Sequence, residues 1–287
     1  MITDLVRADF WAPPDDLTFE SRFGDLLKDA ELTAQFCLDP RAPRAELVHA
    51  ATQLYIRLQA IPSVLLNYKI CIDFGLPLHP TQYIDFVKFE KNPDAYMPST
   101  RKVAQELFVE SIDIARSVYR LKPIAPMRLA GLRARIPEFL TGFLYTNTAD
   151  KYTWRASEPL AIRALAEKVK KSGFVPDLIV GAAHGSIRPA LMLAELLDCE
   201  LYFLRFSMFK RDDEQPIRSA SDEVYLERFR DKKVMVFDED VAKGRTLKAF
   251  ATCFQGQAAE LRSASVLRHY LAPFDPDFVG EVFYDDD

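Results

Sequence analysis

The chain has 287 residues, 49% of them hydrophobic and 28% charged, with a formal net charge of −5. That is enough apolar material for a sizeable core, which excludes a disordered chain, and the length suits two domains better than one. The acidic balance excludes a protein that coats nucleic acid or an anionic membrane through bulk charge.

The first residues, MITDLVRADFWAPPDD, contain neither a basic n-region nor an apolar core of a secretory signal. No apolar run approaches the roughly 18–20 residues that span a bilayer. Cys37, Cys71, Cys199 and Cys253 are scattered with no CxxC pair, the usage of reduced, mostly buried thiols. Together these features predict a cytoplasmic protein without a membrane partner.

From about Leu26 to Tyr145 the pattern is helical. Residues 45–60 place Leu47, Ala51, Leu54 and Leu58 on one stripe. Residues 101–119 do the same with Val103, Leu107, Phe108, Ile112, Ala115 and Tyr119. Spacings of three and four predict amphipathic helices. Prolines at 62, 77, 80, 93 and 98 divide the region into several helices rather than one rod. Residues 114–137 carry Arg116, Arg120, Lys122, Arg128, Arg133 and Arg135 with no acid between them. This strip reads either as a surface for a phosphate-bearing partner or as an exposed helix face. Residues 1–150 as a whole hold 17 Lys and Arg against 19 Asp and Glu, which argues against nucleic acid. Residues 1–146 are thus expected to form a helical region of unassigned role.

After about Asn147 the pattern changes. A helix is predicted over 156–172, with Leu160, Leu165, Ala166 and Val169 inward. A continuous apolar run, 178–181, suits a buried parallel strand. A helix from Pro189 to Leu197 and a strand over 200–206 follow. Residues 209–222, FKRDDEQPIRSASD, read as a mobile polar loop. A strand over 233–237, a helix over 246–254 and a strand over 263–271 complete residues 147–287. Strands alternating with helices predict an α/β domain with a parallel sheet, whose ligands bind at the carboxyl ends of the strands.

The stretch most informative about chemistry is 234–247, VMVFDEDVAKGRTL. Four apolar residues lead into Asp238 and Glu239, two carboxylates that can accept hydrogen bonds from adjacent sugar hydroxyls. Gly244 allows close backbone approach. The amides of Ala242, Lys243, Gly244, Arg245 and Thr246, at a helix start, can cradle a phosphate. Thr246 is expected to add a hydroxyl and to cap the helix. A strand ending in a solvated acidic turn accounts for the acids but not for Gly and Thr at these offsets.

This segment resembles the 5-phosphoribosyl-1-pyrophosphate (PRPP) motif of the type I phosphoribosyltransferases: a hydrophobic strand, two acids, four variable positions, Gly, any residue, then Ser or Thr. Residues 152–195 resemble the xanthine and hypoxanthine branch, in which Tyr-x-Trp opens a helix and Pro-Asp-x-Ile-Val leads to a Gly-rich pyrophosphate turn. Ala183-His184-Gly185-Ser186 occupies that turn. The family usually has Arg or Lys where His184 stands and often a second Gly where Ser186 stands. His184 is either an anion contact or an ordinary core or surface histidine.

The resemblance covers about residues 147–287. It implies PRPP as substrate, with hydroxyls on Asp238 and Glu239, the 5-phosphate in 242–246 and the pyrophosphate near 183–186. It implies Mg2+ as cofactor, which Asp238 and Glu239 would touch only indirectly, through the sugar hydroxyls. Lys210 and Arg211, in the 209–222 segment, would reach the pyrophosphate as part of a closing lid, or belong to a solvated charge run. Phe278, in Pro276-Asp277-Phe278-Val279-Gly280, would stack on the acceptor, or fill the core. A homodimer is the usual state. Two departures stand out: hypoxanthine–guanine enzymes have an acidic general base where this chain has Ala242, and Thr where it has Lys243. The expected activity is phosphoribosyl transfer to an unidentified nucleobase or other small molecule. A PRPP- or nucleotide-sensing regulator is the alternative, and chemistry on a nucleotide a third reading.

Overall fold

The computed structural model describes residues 4–8, 17–78, 86–148, 154–208 and 213–284. The chain divides into two units, residues 1–85 with 89–149 and residues 86–88 with 150–287.

The first unit is mostly helical. A short strand β1 (Phe19–Arg22) runs into α1 (Phe23–Leu38), followed by α2 (Arg44–Arg57) and α3 (Ala60–Phe74). Then come α4 (Pro98–Tyr119), α5 (Ala125–Arg135), the single turn α6 (Glu138–Thr141) and strand β2 (Leu144–Asn147). Every residue of α3 from Ala60 to Ile72 is buried, the signature of a helix enclosed on all sides. Its buried Lys69 pairs with Asp73 at 2.7 Å, one turn on. It ends at Gly75, φ 65°, where an added Cβ would lie 1.5 Å from the Asn92 carbonyl oxygen. Only glycine fits that left-handed cap. The predicted stripes hold, except that Val103 is exposed and Leu47 half-buried. The basic strip is partly neutralised: Arg133 pairs with Glu31 and Arg135 with Glu110.

The second unit is α/β. In order come α7 (Pro159–Lys171), β3 (Leu178–Ala183), α8 (Ile187–Leu197), β4 (Glu200–Arg205) and α9 (Ala220–Glu227). Then follow β5 (Lys233–Val241), α10 (Arg245–Phe254), β6 (Glu260–His269) and β7 (Phe278–Phe283). The five strands form one sheet in the order β4-β3-β5-β6-β7, all parallel. From β3 the chain crosses to β4 on one side, and from β5 to β6 on the other. Right-handed crossovers therefore place α8 and α10 on opposite faces, and the β3–β5 boundary is the switch point at which such sheets bind ligands. Every residue of β3 is buried, as the apolar run predicts.

Several expectations are corrected. In α7 Leu160 is exposed, and Ala161 and Ile162 point inward instead. Helix α8 begins at Ile187, two residues before the predicted Pro189. Strand β5 continues through the acids to Val241 rather than stopping at Phe237. Part of the described stretch 213–222 of the supposed loop is structured. Ile217 bridges Arg205, and Ser219 opens α9 through a reciprocal cap with Asp222. Buried Asp213 sits 3.5 Å from buried Arg205 and accepts the Ser207 amide at 2.9 Å. Among the described residues, no helix is long and apolar enough to cross a membrane. Of the cysteines, burial pushes the Cys37 thiol up to about 11, leaving it unreactive at neutral pH.

Candidate functional site

The site is assembled from three segments that leave the carboxyl ends of β3, β5 and β6. The first is the turn between β3 and α8. The Ala183–His184 peptide is cis. Ser186 is fully buried and donates its hydroxyl hydrogen to the Ala182 carbonyl at 2.7 Å. Its side chain thus secures the turn to the strand. Gly185 is exposed, and His184 is partly so.

The second segment is β5 with the loop that follows. Asp238 is buried in the strand, in register with Ser265, and its Oδ1 accepts the Glu239 amide at 3.1 Å. Burial raises the Asp238 carboxyl well above the ordinary carboxylate range. The adjacent Glu239 charge and, less strongly, Asp240 add to the rise. Glu239 crosses the switch point: a Cβ placed on Gly185 would lie 1.7 Å from its Oε1. The turn after β3 and the second acid of β5 therefore meet, and glycine is what lets them do so.

Beyond Val241 the chain turns through Ala242 and Lys243, both exposed, to Gly244 at φ 69°. Gly244, not Thr246, is the cap residue of α10, and no side chain caps this helix. Thr246 occupies the second helical position, so its predicted capping is corrected. The first amides of α10 face an accessible loop whose exposed neighbours include Lys243 and Arg245, a setting that favours an anion. Gly244 is also pressed from behind, because a Cβ there would lie 2.2 Å from Phe274 Cβ. Phe274 belongs to the β6–β7 connection, which Arg268 ties down by donating to the Phe274 and Ala272 carbonyls at 3.2 and 2.9 Å.

The third segment is the end of β6. His269 Nε2 lies 3.2 Å from Asp240 Oδ1, with the side chains 11% and 23% exposed. His269 pairs in register with Phe283 of β7, and their rings meet edge to face at 5.5 Å. Sequence reasoning missed this group and Phe274. For His269 the signal was its position at the end of the last apolar strand before the C-terminal turn. Phe274 offered none.

Not every expected residue joins the site. Phe278 starts β7, and its ring packs 5.8 Å from Phe174, whose face lies 5.9 Å from Lys233 Nζ at the opening of β5. Phe278 is half-buried and stands in register with Ala264, one residue before the Asp238–Ser265 pair. Lys210 and Arg211 lie outside the described residues. No group of three or more His, Cys, Asp or Glu able to hold a metal occurs among the described residues.

Residues 152–278, within the second unit, match the family model of the phosphoribosyl transferase domain. Among solved structures, the chain is similar to a purine phosphoribosyltransferase from Pyrococcus horikoshii, at 25% identity over 44% of this chain and 86% of that one, TM-score 0.33. A hypoxanthine phosphoribosyltransferase from Staphylococcus aureus is similar at 19% identity over 47% and 77%, TM-score 0.37. The xanthine-guanine-hypoxanthine phosphoribosyltransferase of Helicobacter pylori is similar at 21% identity over 44% and 80%, TM-score 0.33. No curated protein matches the chain.

Proposed function

We propose that the phosphoribosyl transferase domain of this chain, residues 152–278, transfers 5-phosphoribose from PRPP to a small-molecule acceptor and releases pyrophosphate. The observation that carries this reading is the meeting of Gly185 with the Glu239 carboxylate at the switch point, beside the accessible 242–246 loop. One edge of the sheet then offers two acids for vicinal hydroxyls, an amide cradle for the 5-phosphate and a glycine turn for the pyrophosphate.

The chain's own contribution is positioning and charge. Asp238 and Glu239 accept from the 2- and 3-hydroxyls and fix the ribose ring. The loop 242–246 holds the 5-phosphate through backbone amides and the nearby Lys243 and Arg245. The amides around Ala183 to Ser186, with His184, face the leaving pyrophosphate, whose growing charge they offset as the C1–O bond lengthens. Lys210 and Arg211 belong to the same proposal as lid residues. Mg2+ fits this donor set as a cation carried by the substrate. Asp238 and Glu239 would contact it only through the sugar hydroxyls, and it would supply charge neutralisation to the pyrophosphate. A homodimer in the cytoplasm is part of the same reading.

The test is PRPP binding and pyrophosphate release by the Asp238→Asn, Glu239→Gln double variant. Loss of both is expected; wild-type activity in that variant refutes the assignment. A second reading, a PRPP-sensing regulator, draws on Ala242, which leaves the family's usual base position aliphatic, and on the separate helical unit. Wild-type binding of PRPP without pyrophosphate release in any acceptor panel would favour it.

A further inference from the structure

We propose that Arg268 is a positioning residue for the 5-phosphate: its guanidinium holds the β6–β7 connection against Gly244 and so keeps the 242–246 loop in the shape that receives an anion. The inference rests on the transfer reading above, and it concerns a side chain that acts through its neighbours.

Arg268 stands in register with Val241, the last residue of β5, from which the loop departs. Its guanidinium is turned to the chain that returns after β6. Nε donates to the Phe274 carbonyl at 3.2 Å, Nη2 to that of Ala272 at 2.9 Å, and Nη1, at the limit of a hydrogen bond, to that of Tyr270 at 3.5 Å. Asp275, 3.2 Å from Nε, balances the charge. All three nitrogens are thus engaged with residues 270–275, and the side chain is only 18% exposed. A planar fork with five N–H donors can hold three carbonyls in this way, whereas an ammonium is a point charge without that geometry.

The returning chain bears on the loop at one residue. Among Ala242, Lys243, Gly244 and Arg245 only Gly244 is buried. Phe274 takes the place of its missing side chain: a Cβ on Gly244 would lie 2.2 Å from Phe274 Cβ and 3.1 Å from its Cγ. No side chain caps α10, so no bond of that kind fixes the turn from the helix side. Backbone amides hold an anion only while they converge, and a loop that samples other shapes binds in proportion to the time it spends in the competent one. Phe274 limits the loop at Gly244, the residue with the widest choice of backbone angles. Arg268 limits Phe274.

The experiment uses the full chain with Mg2+ and measures two affinities by calorimetry. Ribose 5-phosphate needs the 242–246 loop; pyrophosphate needs the turn after β3. Arg268→Ala and Arg268→Gln are expected to raise the Kd for ribose 5-phosphate about tenfold, as when only about one molecule in ten presents the competent loop. The Kd for pyrophosphate should stay within about threefold of wild type, a split that a general loss of structure does not give. Arg268→Lys, which keeps the charge without the fork, should remain impaired. Phe274→Gly should match Arg268→Ala, and the double variant should be no weaker than either alone, because both act through one contact. Phe274→Gly also tests the brace should the Arg268 variants fail to fold. Wild-type affinity for ribose 5-phosphate in Arg268→Lys overturns the proposal, since charge alone would then suffice. So does an equal loss for both ligands, or an unchanged ribose 5-phosphate Kd in folded Arg268→Ala or Phe274→Gly. A wild type that binds pyrophosphate but not ribose 5-phosphate overturns it as well. A wild type that binds neither removes the transfer reading itself, and the inference with it.

Discussion

Gly185 has room for a hydrogen and nothing larger on the side facing Glu239, whose Oε1 would lie 1.7 Å from a Cβ. Gly185→Ala must therefore push that carboxylate out of its position while leaving the core untouched. An affinity loss for PRPP of at least tenfold is expected by calorimetry, about 1.4 kcal/mol, with little change in melting temperature. Wild-type affinity in that variant would mean that Glu239 does not face the sugar. Asp238 carries a second prediction. Its carboxyl is raised in the folded protein, chiefly by burial and then by Glu239, whereas in the unfolded chain it titrates in the ordinary range. The native state thus holds a proton that the unfolded state has already released. The resulting stabilisation is complete below the ordinary value and is lost as pH rises through the raised one. Asn cannot ionise, so Asp238→Asn should melt higher than wild type at neutral pH, with the gap closing in acid; thermal scans across pH decide this. Asp238, Glu239 and Gly244 were legible in the sequence because their chemistry and offsets lie within one short segment. Phe274 and the Asp240–His269 contact were not, because each joins residues brought together only by strand pairing or by a loop returning over the sheet.

Between β4 and α9 the polar composition misled. Residues 213–222 read as a solvated loop, yet Asp213, Ser219 and Asp222 are buried because each has polar partners: Arg205 and the Ser207 amide, the Asp222 amide, and the Tyr202 hydroxyl at 2.6 Å. Buried charge is stable only when paired, and a single sequence does not show pairing. Asp213→Ala leaves the Arg205 guanidinium without this carboxylate in a site where both side chains are at most 2% exposed. A loss of about 3–5 kcal/mol is expected in chemical denaturation, and a change below 1 kcal/mol would show that the pair contributes little. Strands β1 and β2 were invisible for another reason. Each has four residues, and they pair with each other across more than a hundred positions of chain. No local periodicity announces such a contact. By contrast β3 and α10 were predicted close to their true limits, because an unbroken apolar run and a glycine at a helix start are local signals.

In residues 154–284 the alternation of strand and helix was legible up to β6 except for α9, while β7 (Phe278–Phe283), after the last expected strand, was not foreseen. The helical character of the first unit was equally plain, while its purpose was not, because core-facing stripes encode packing rather than chemistry. The proposed occupancy has a distribution that can be measured along the entire chain. With PRPP and Mg2+, amide exchange should slow at residues 184–187 and 243–247, while the enclosed helix α3 should be unaffected. A saturating ligand at 100 times its Kd should add about 2.7 kcal/mol to stability. Protection confined to other segments would place the ligand elsewhere.

The continuation of β5 through its acids has a further result. Asp238 and Asp240, which flank Glu239, are paired in the ladder with Ser265 and Leu267, so the backbone that carries Asp238 and Glu239 stands on a rail that cannot swivel as a loop tip does. A ribose whose two hydroxyls lie on the same side of the ring can meet such fixed oxygens together. Inverting the configuration at carbon 2, as in the arabinose analogue, turns one hydroxyl away from acids held by a paired strand.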